Sequence, residues 1–96
     1  MQRYKIRFFF EYGGDCFWGG DAAAVERYGY PIAPTDLPLP AELAAQCSAM
    51  AEQWWLAASV NSEGSFPSRE ETVRLIERVR DALGDEFEII DEQTKR

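Results

Sequence analysis

Alternating apolar and polar residues near the start of the chain predict a β-strand over residues 3–12. The polar face is charged except at Phe9. A face of aromatic and aliphatic side chains needs a core to pack on, so we expect it to lie against a helix. The residues predicted on this face are Tyr4, Ile6, Phe8, Phe10 and Tyr12.

The strongest helix prediction covers residues 40–59 and is the element around which the rest of the chain is organised. Proline stands at its first turn, no glycine interrupts it, and Ala, Glu, Leu, Gln and Met predominate. Two neighbouring apolar stripes indicate a helix that is covered on more than one side, with the pair Trp54-Trp55 near its end. The first stripe is Leu43, Cys47, Met50, Trp54 and Ala58, and the second is Ala44, Ala51 and Trp55.

Shorter elements flank this helix. Asp21 is a natural N-cap for a helix over residues 22–28, and the four prolines of residues 30–40 indicate an ordered strap over the core. After a polar loop at residues 61–67, a capping box at residues 68–71 starts a third helix that ends at Gly84. A short strand follows at residues 86–90, and we expect the polar tail at residues 91–96 to be frayed.

The two strands should pair, because a lone strand leaves its backbone groups unsatisfied. If they run parallel, the intervening helices form a right-handed crossover. One register then pairs two sets of opposite charges on the polar face, Lys5 with Glu86 and Arg7 with Glu88. The same register pairs the two apolar residues of that face, Phe9 and Ile90. The predicted fold is a single α+β domain over residues 1–96, with a two-stranded parallel sheet packed on helices.

Composition narrows the functional classes. The chain has 96 residues, no histidine, two cysteines and a formal net charge of −7. The acidic charge argues against nucleic-acid binding, and the lack of histidine excludes Ser–His, Cys–His and His-based zinc chemistry. With no run of membrane-spanning length and no signal-peptide pattern, we expect a cytoplasmic protein with reduced thiols, and no membrane association.

No motif for catalysis is present, so we predict that the chain is not an enzyme. The glycine-rich turn at residues 13–20 lacks the lysine and the spacing of a phosphate-binding loop. Cys16 has no neighbouring cation to lower its pKa, and Cys47 falls on the core face of the long helix. We therefore expect no metal and no cofactor, and a small enzyme is the weakest of the alternatives.

Trp18 is the candidate anchor of a binding site, because it lies among glycines outside any apolar periodicity. In a parallel pair, the loop after the first strand and the tail after the second leave the sheet at the same end. The predicted partner-binding residues are Asp15, Trp18, Asp21, Asp91 and Glu92. The alternative is that Trp18 folds over the end of the core.

A second candidate surface lies on the outer face of the sheet. Phe9 and Ile90 would form an apolar spot there, between open sheet edges, and this combination suits a homodimer. The alternative is a small apolar patch that a monomer tolerates.

The order of several features resembles a family of small, uncharacterised, acidic bacterial proteins. These features are an aromatic strand, a Cys-Phe-Trp loop, the runs RYGYP at residues 27–31 and DLPL at residues 36–39, a helix ending in Trp-Trp, and GDEFE at residues 84–88. In size and acidity such proteins are similar to immunity proteins of polymorphic-toxin systems, which hold basic toxin domains inactive. The resemblance implies a protein-binding inhibitor with a basic partner. A homodimeric structural domain is the alternative.

Overall fold

A computed structural model describes residues 3–59 and 64–95, so residues 60–63 of the predicted loop region and Arg96 of the predicted tail lie outside the described residues. Within this part the chain forms an α+β domain with three α-helices and a four-stranded mixed sheet. The strands are β1 (Tyr4–Phe8), β2 (Phe17–Gly19), β3 (Pro31–Ile32) and β4 (Phe87–Asp91). The helices are α1 (Ala22–Tyr28), α2 (Ala41–Ala58) and α3 (Arg69–Leu83).

The parallel pairing of the first and last strands is confirmed, but the predicted register is wrong by two residues. Lys5 lies opposite Glu88 and Arg7 opposite Ile90. A shift of two residues keeps every side chain on its face, so the alternation could not distinguish the two registers. The observed register places Ile6 beside Ile89 in the core, and the tail then brings Glu92 to Arg7, whose Nη2 lies 2.6 Å from the Glu92 Oε1.

The prediction of a two-stranded sheet is also wrong, because two further strands extend it to the order β3-β2-β1-β4. The first strand ends at Phe8, and the chain returns through residues 9–16 to form β2 antiparallel to β1. β3 comes from the predicted strap and pairs antiparallel with β2. Strands of three and two residues are too short to show an alternation in the sequence.

The helices lie on the face of the sheet that carries Tyr4, Ile6 and Phe8, and the core fills the space between. α1 approaches the sheet at Gly19, where a Cβ atom would lie 2.6 Å from the Val25 Cγ2 and 2.7 Å from the Gly29 carbonyl oxygen. Only glycine therefore allows this helix to pack so closely. The buried residues of the two long helices include Leu43, Cys47, Ala51, Ile76 and Val79.

The predicted capping box is confirmed at the start of α3. The Ser68 hydroxyl accepts the Glu71 N–H at 3.0 Å, and the Glu71 carboxylate accepts the Ser68 N–H at 3.3 Å. Gly84 closes the helix with a positive φ of 72°.

The prediction of a frayed tail is wrong for its described residues. The Asp91 carboxylate accepts the N–H groups of Gln93 at 3.0 Å and Thr94 at 2.9 Å, and also the Thr94 hydroxyl. The Gln93 side-chain oxygen accepts the Phe10 N–H at 3.0 Å. These bonds hold the tail against the loop that follows β1.

Candidate protein-binding surface

Trp18 is a buried residue of β2 and not the exposed anchor of a loop. Its side chain is 8% exposed, and its ring stacks on Phe9 with centroids 4.8 Å apart. The indole N–H donates to the Phe9 carbonyl oxygen at 2.9 Å, and the Tyr30 ring contacts the Trp18 ring with centroids 5.2 Å apart. The alternative interpretation is right that Trp18 is buried, but the side chain lies opposite Arg7 on the outer face of the sheet and not over the end of the core. Sequence reasoning missed this because the partners of Trp18, Phe9 and Tyr30, are distant in the chain and reach it only when the strands pair.

The five predicted partner-binding residues are not all brought together. Asp91 pairs with Phe8 at the end of β1, and Asp15 and Glu92 follow at that same end. Asp21 lies at the opposite end, because β2 runs away from Asp15 before the chain reaches it. There the Asp21 carboxylate accepts the Ala24 N–H at 2.9 Å and caps α1. Asp21 is therefore the N-cap of α1, which the sequence also predicted.

Two of the carboxylates at the predicted end are engaged within the protein. Burial acts to raise the pKa of Asp91, but hydrogen bonds from Thr94 and Gln93 together with the charge of Arg80 outweigh it, and the pKa is lowered. Glu92 accepts from Arg7 through both oxygens, at 2.6 and 3.0 Å. Donating these hydrogen bonds to Glu92 raises the pKa of Arg7. Both acids therefore stabilise the tail.

The predicted apolar spot of Phe9 and Ile90 is not formed. Phe9 is 6% exposed, lies between Trp18 and the Arg7 guanidinium, and is separated from Ile90 by the observed register. Ile90 is half-buried beside Arg7. The reason is that the chain leaves the strand at Phe9 and turns its side chain over the outer face toward Trp18.

Exposed aromatic side chains gather instead at the end of the sheet where β1 and β4 finish. We call them the aromatic cluster: Tyr12, Trp54, Trp55 and Phe66. Tyr12 is 63% exposed, Phe66 56% and Trp55 36%. The half-buried Trp54 ring joins the surface to the core, with centroids 5.7 Å from Tyr12, 6.1 Å from Phe66 and 6.1 Å from the buried Phe10. Three separate segments of the chain therefore build one aromatic surface.

Sequence reasoning missed the aromatic cluster because each member was assigned elsewhere. Tyr12 was predicted on the buried face of a longer strand, and Trp54 and Trp55 in the core. One signal was available: adjacent residues on a helix point about 100° apart, so two neighbouring tryptophans at a helix end rarely both find cover. The structure buries the second stripe of α2 at Ala44 and Ala51 but not at Trp55.

Three acidic side chains lie near members of the aromatic cluster, in the chain or in the lining of the groove at Trp55. Glu11 precedes Tyr12 and is exposed, Glu52 lies one turn before Trp55 on α2 and is exposed, and Asp15 is half-exposed at the end of the same loop.

The described residues offer little for catalysis. Both thiols are buried: desolvation raises the pKa of Cys47 to about 12 and raises that of Cys16 well above its usual range. They are protonated and inaccessible at neutral pH. In the ranges 3–59 and 64–95, no group of three or more Cys, Asp or Glu side chains is placed to hold a metal ion.

Comparison of the chain with models of known protein families and with curated proteins finds no match. In the part of the chain that the structure describes, none of the helices combines the length and the apolar character needed to cross a membrane.

Proposed function

We propose that this chain is a non-catalytic protein-binding module and that the aromatic cluster is its binding surface. The observation that carries the proposal is the exposure of Tyr12 and Phe66, whose rings both contact Trp54, together with that of Trp55, the next residue of the helix. Tyrosine and tryptophan are over-represented among the residues that dominate binding energy, and large aromatic side chains are enriched at interfaces. Half-buried Trp54 supports the exposed rings from below, so the surface is held in place before a partner arrives.

The partner that this surface suits is a basic protein. The chain carries a net charge of −7, and the acidic residues Glu11, Asp15 and Glu52 lie beside the aromatic cluster. Charges of opposite sign around an aromatic core accelerate and orient association. An inhibitor that holds a basic bacterial toxin domain inactive is the role in this class that the size, acidity and resemblance of the chain favour.

To test the proposal, the partner is first captured from an extract of the source organism on the immobilised protein. The partner is then produced separately, and calorimetry measures its affinity for the protein. The double variant Tyr12→Ser/Phe66→Ser should bind it about 30-fold more weakly, the loss typical of a residue that dominates an interface. Tyr30→Ser is the matched control, since Tyr30 is an exposed aromatic residue (46%) on the outer face of the sheet. Equal affinity of the double variant and the wild type, or a comparable loss in the control, would overturn the proposal.

A further inference from the structure

A groove of about 380 Å³ opens beside the aromatic cluster, between α2 and the turn of the β1–β2 loop. Ser48, Glu52 and Trp55 form one wall, because residues three and four apart share a face of a helix. Gly13 and Gly14 form the other wall, with positive φ angles of 101° and 83°. Neither glycine presents a side chain, so the groove stays open to a group from outside.

The two chemically distinctive groups in this groove have no partner among the described residues. The Glu52 carboxylate makes no hydrogen bond or ion pair with the described residues. It is exposed, although the neighbouring helix carries arginines. The Trp55 ring contacts no other aromatic ring in the described ranges, in contrast to Trp54, which contacts three. A second carboxylate is close, since an Asp15 oxygen lies 3.9 Å from the position of a Cβ on Gly13.

This groove and a neighbouring one along α2 both have Glu52 and no lysine or arginine in their lining, whereas other grooves on the described surface contain arginines. The groove between α2 and α3 is lined by Arg74 and Arg78, and one beside α1 by Arg3 and Arg27. The groove at Trp55 has a carboxylate and no lysine or arginine in its lining. Its negative charge is thus not neutralised by the protein's own cations.

We propose that this groove binds an arginine or lysine side chain of the partner, with the cation over the Trp55 ring and its charge against Glu52. A cation over tryptophan is attracted by the electrons of the ring, and a carboxylate at the rim adds an ion pair. An arginine guanidinium suits the groove best, because it is planar, stacks on aromatic faces and is more weakly hydrated than an ammonium group. This inference deepens the proposed function and depends on it for the existence of a partner.

The groove can be tested without the partner. The probe is N-acetyl-arginine N-methylamide, titrated into the full-length ¹⁵N-labelled protein at constant ionic strength. We expect shifts at the Trp55 indole N–H and at the Gly13 and Gly14 amides. The citrulline counterpart has nearly the same shape without the charge and should give no comparable shifts.

Glu52→Gln and Trp55→Leu should each weaken binding of the arginine probe about two- to fivefold, as exposed ion pairs and cation–π contacts do. Because Glu52 is exposed, Glu52→Gln should leave the fold intact.

Equal shifts with arginine and citrulline, or arginine shifts confined to other residues, would overturn the inference. Measuring how the variants bind the captured partner distinguishes a failure of the groove inference from a failure of the proposed function. We expect Glu52→Gln to weaken partner binding about thirtyfold or more, as for one member of a buried charge pair. If Glu52→Gln has no effect while Tyr12→Ser/Phe66→Ser abolishes binding, the groove does not take the cation, although the aromatic cluster is the surface. If neither change has an effect, the proposed surface is wrong as well.

Discussion

Trp18 and Trp55 show how differently one residue type is used in this chain. Trp18 is buried on the sheet and donates a hydrogen bond to the Phe9 carbonyl oxygen, whereas Trp55 is exposed at the end of α2. The first should therefore contribute to stability and the second to binding.

This contrast predicts that Trp18→Ala lowers the free energy of unfolding by about 3–5 kcal/mol, the usual cost of removing a buried aromatic ring. Trp55→Ala removes a ring that is 36% exposed and should lower it by less than Trp18→Ala does. Urea denaturation followed by circular dichroism measures both. A Trp18→Ala protein as stable as the wild type would contradict the buried role.

The Asp91 carboxylate predicts a pH dependence of stability. Its pKa is lowered in the folded protein, so the charged form stabilises the fold above the pKa of the unfolded chain, near 3.9. This contribution is lost as the pH falls through the lowered folded value. Asp91→Asn should therefore be less stable than the wild type at neutral pH, and the difference should shrink below about pH 4. Urea midpoints measured from neutral to acidic pH check this, and a difference that grows on acidification would contradict it.

Single-residue features were predictable from the sequence where the interaction is local. Asp21 and Ser68 cap helices through bonds to residues three positions away, so their sequence context suffices. The burial of Trp18 depends on Phe9 and Tyr30, which reach it only through strand pairing. No local pattern encodes that contact.

At the scale of elements, α3 owes its defined start to the capping box. Ser68→Ala removes the acceptor for the Glu71 N–H and should lower the free energy of unfolding by about 1 kcal/mol. Ser65→Ala is the matched control and should change it by less than about 0.5 kcal/mol, since Ser65 is exposed and its part in the described hydrogen bonds is through the carbonyl oxygen. Equal losses in the two variants, measured by thermal denaturation, would rule out a capping role.

The helices and the strands β1 and β4 were predictable, the seven-residue α1 through its N-cap, whereas the two shortest strands were not. Helices of 18 and 15 residues and the paired β1 and β4 have enough residues to show a period. β2 and β3 do not, and their stability comes from the sheet that they join. The register of β1 with β4 was predicted from two surface charge pairs, each of which contributes only a fraction of a kcal/mol. Contacts in the core favour the observed register, and the sequence alone does not show them.

At the scale of the whole molecule, both sheet edges are protected against pairing with another chain. Arg80 donates to the Ile89 carbonyl oxygen beside β4 at 2.8 Å, and β3 begins with Pro31, which has no backbone N–H. Such edges resist the addition of further strands.

These edges lead us to expect a monomer at micromolar concentration, which sedimentation velocity can measure. Self-association through the sheet stays the alternative prediction. Phe9→Glu is a poor test of it, because Phe9 is buried and the variant should unfold. Ile90→Glu is the clean probe: a concentration-dependent dimer that this change dissociates would contradict the expectation of a monomer.

The end of the sheet that the sequence predicted for binding is the end that carries the aromatic cluster, whereas the predicted anchor, Trp18, is buried within β2. Parallel pairing alone located that end. The exposure of Tyr12 and Phe66 depends on where the loop after β1 and the segment before α3 pack against α2. The sequence alone does not predict that position.

The most direct test of the proposed surface is hydroxyl-radical footprinting of the protein with and without its captured partner, because oxidation reports the exposure of individual side chains. We predict that oxidation of Tyr12, Trp55 and Phe66 falls in the complex while that of Tyr30, exposed on the outer face of the sheet, is unchanged. Protection of Tyr30 with unchanged oxidation of Tyr12 and Phe66 would contradict the account.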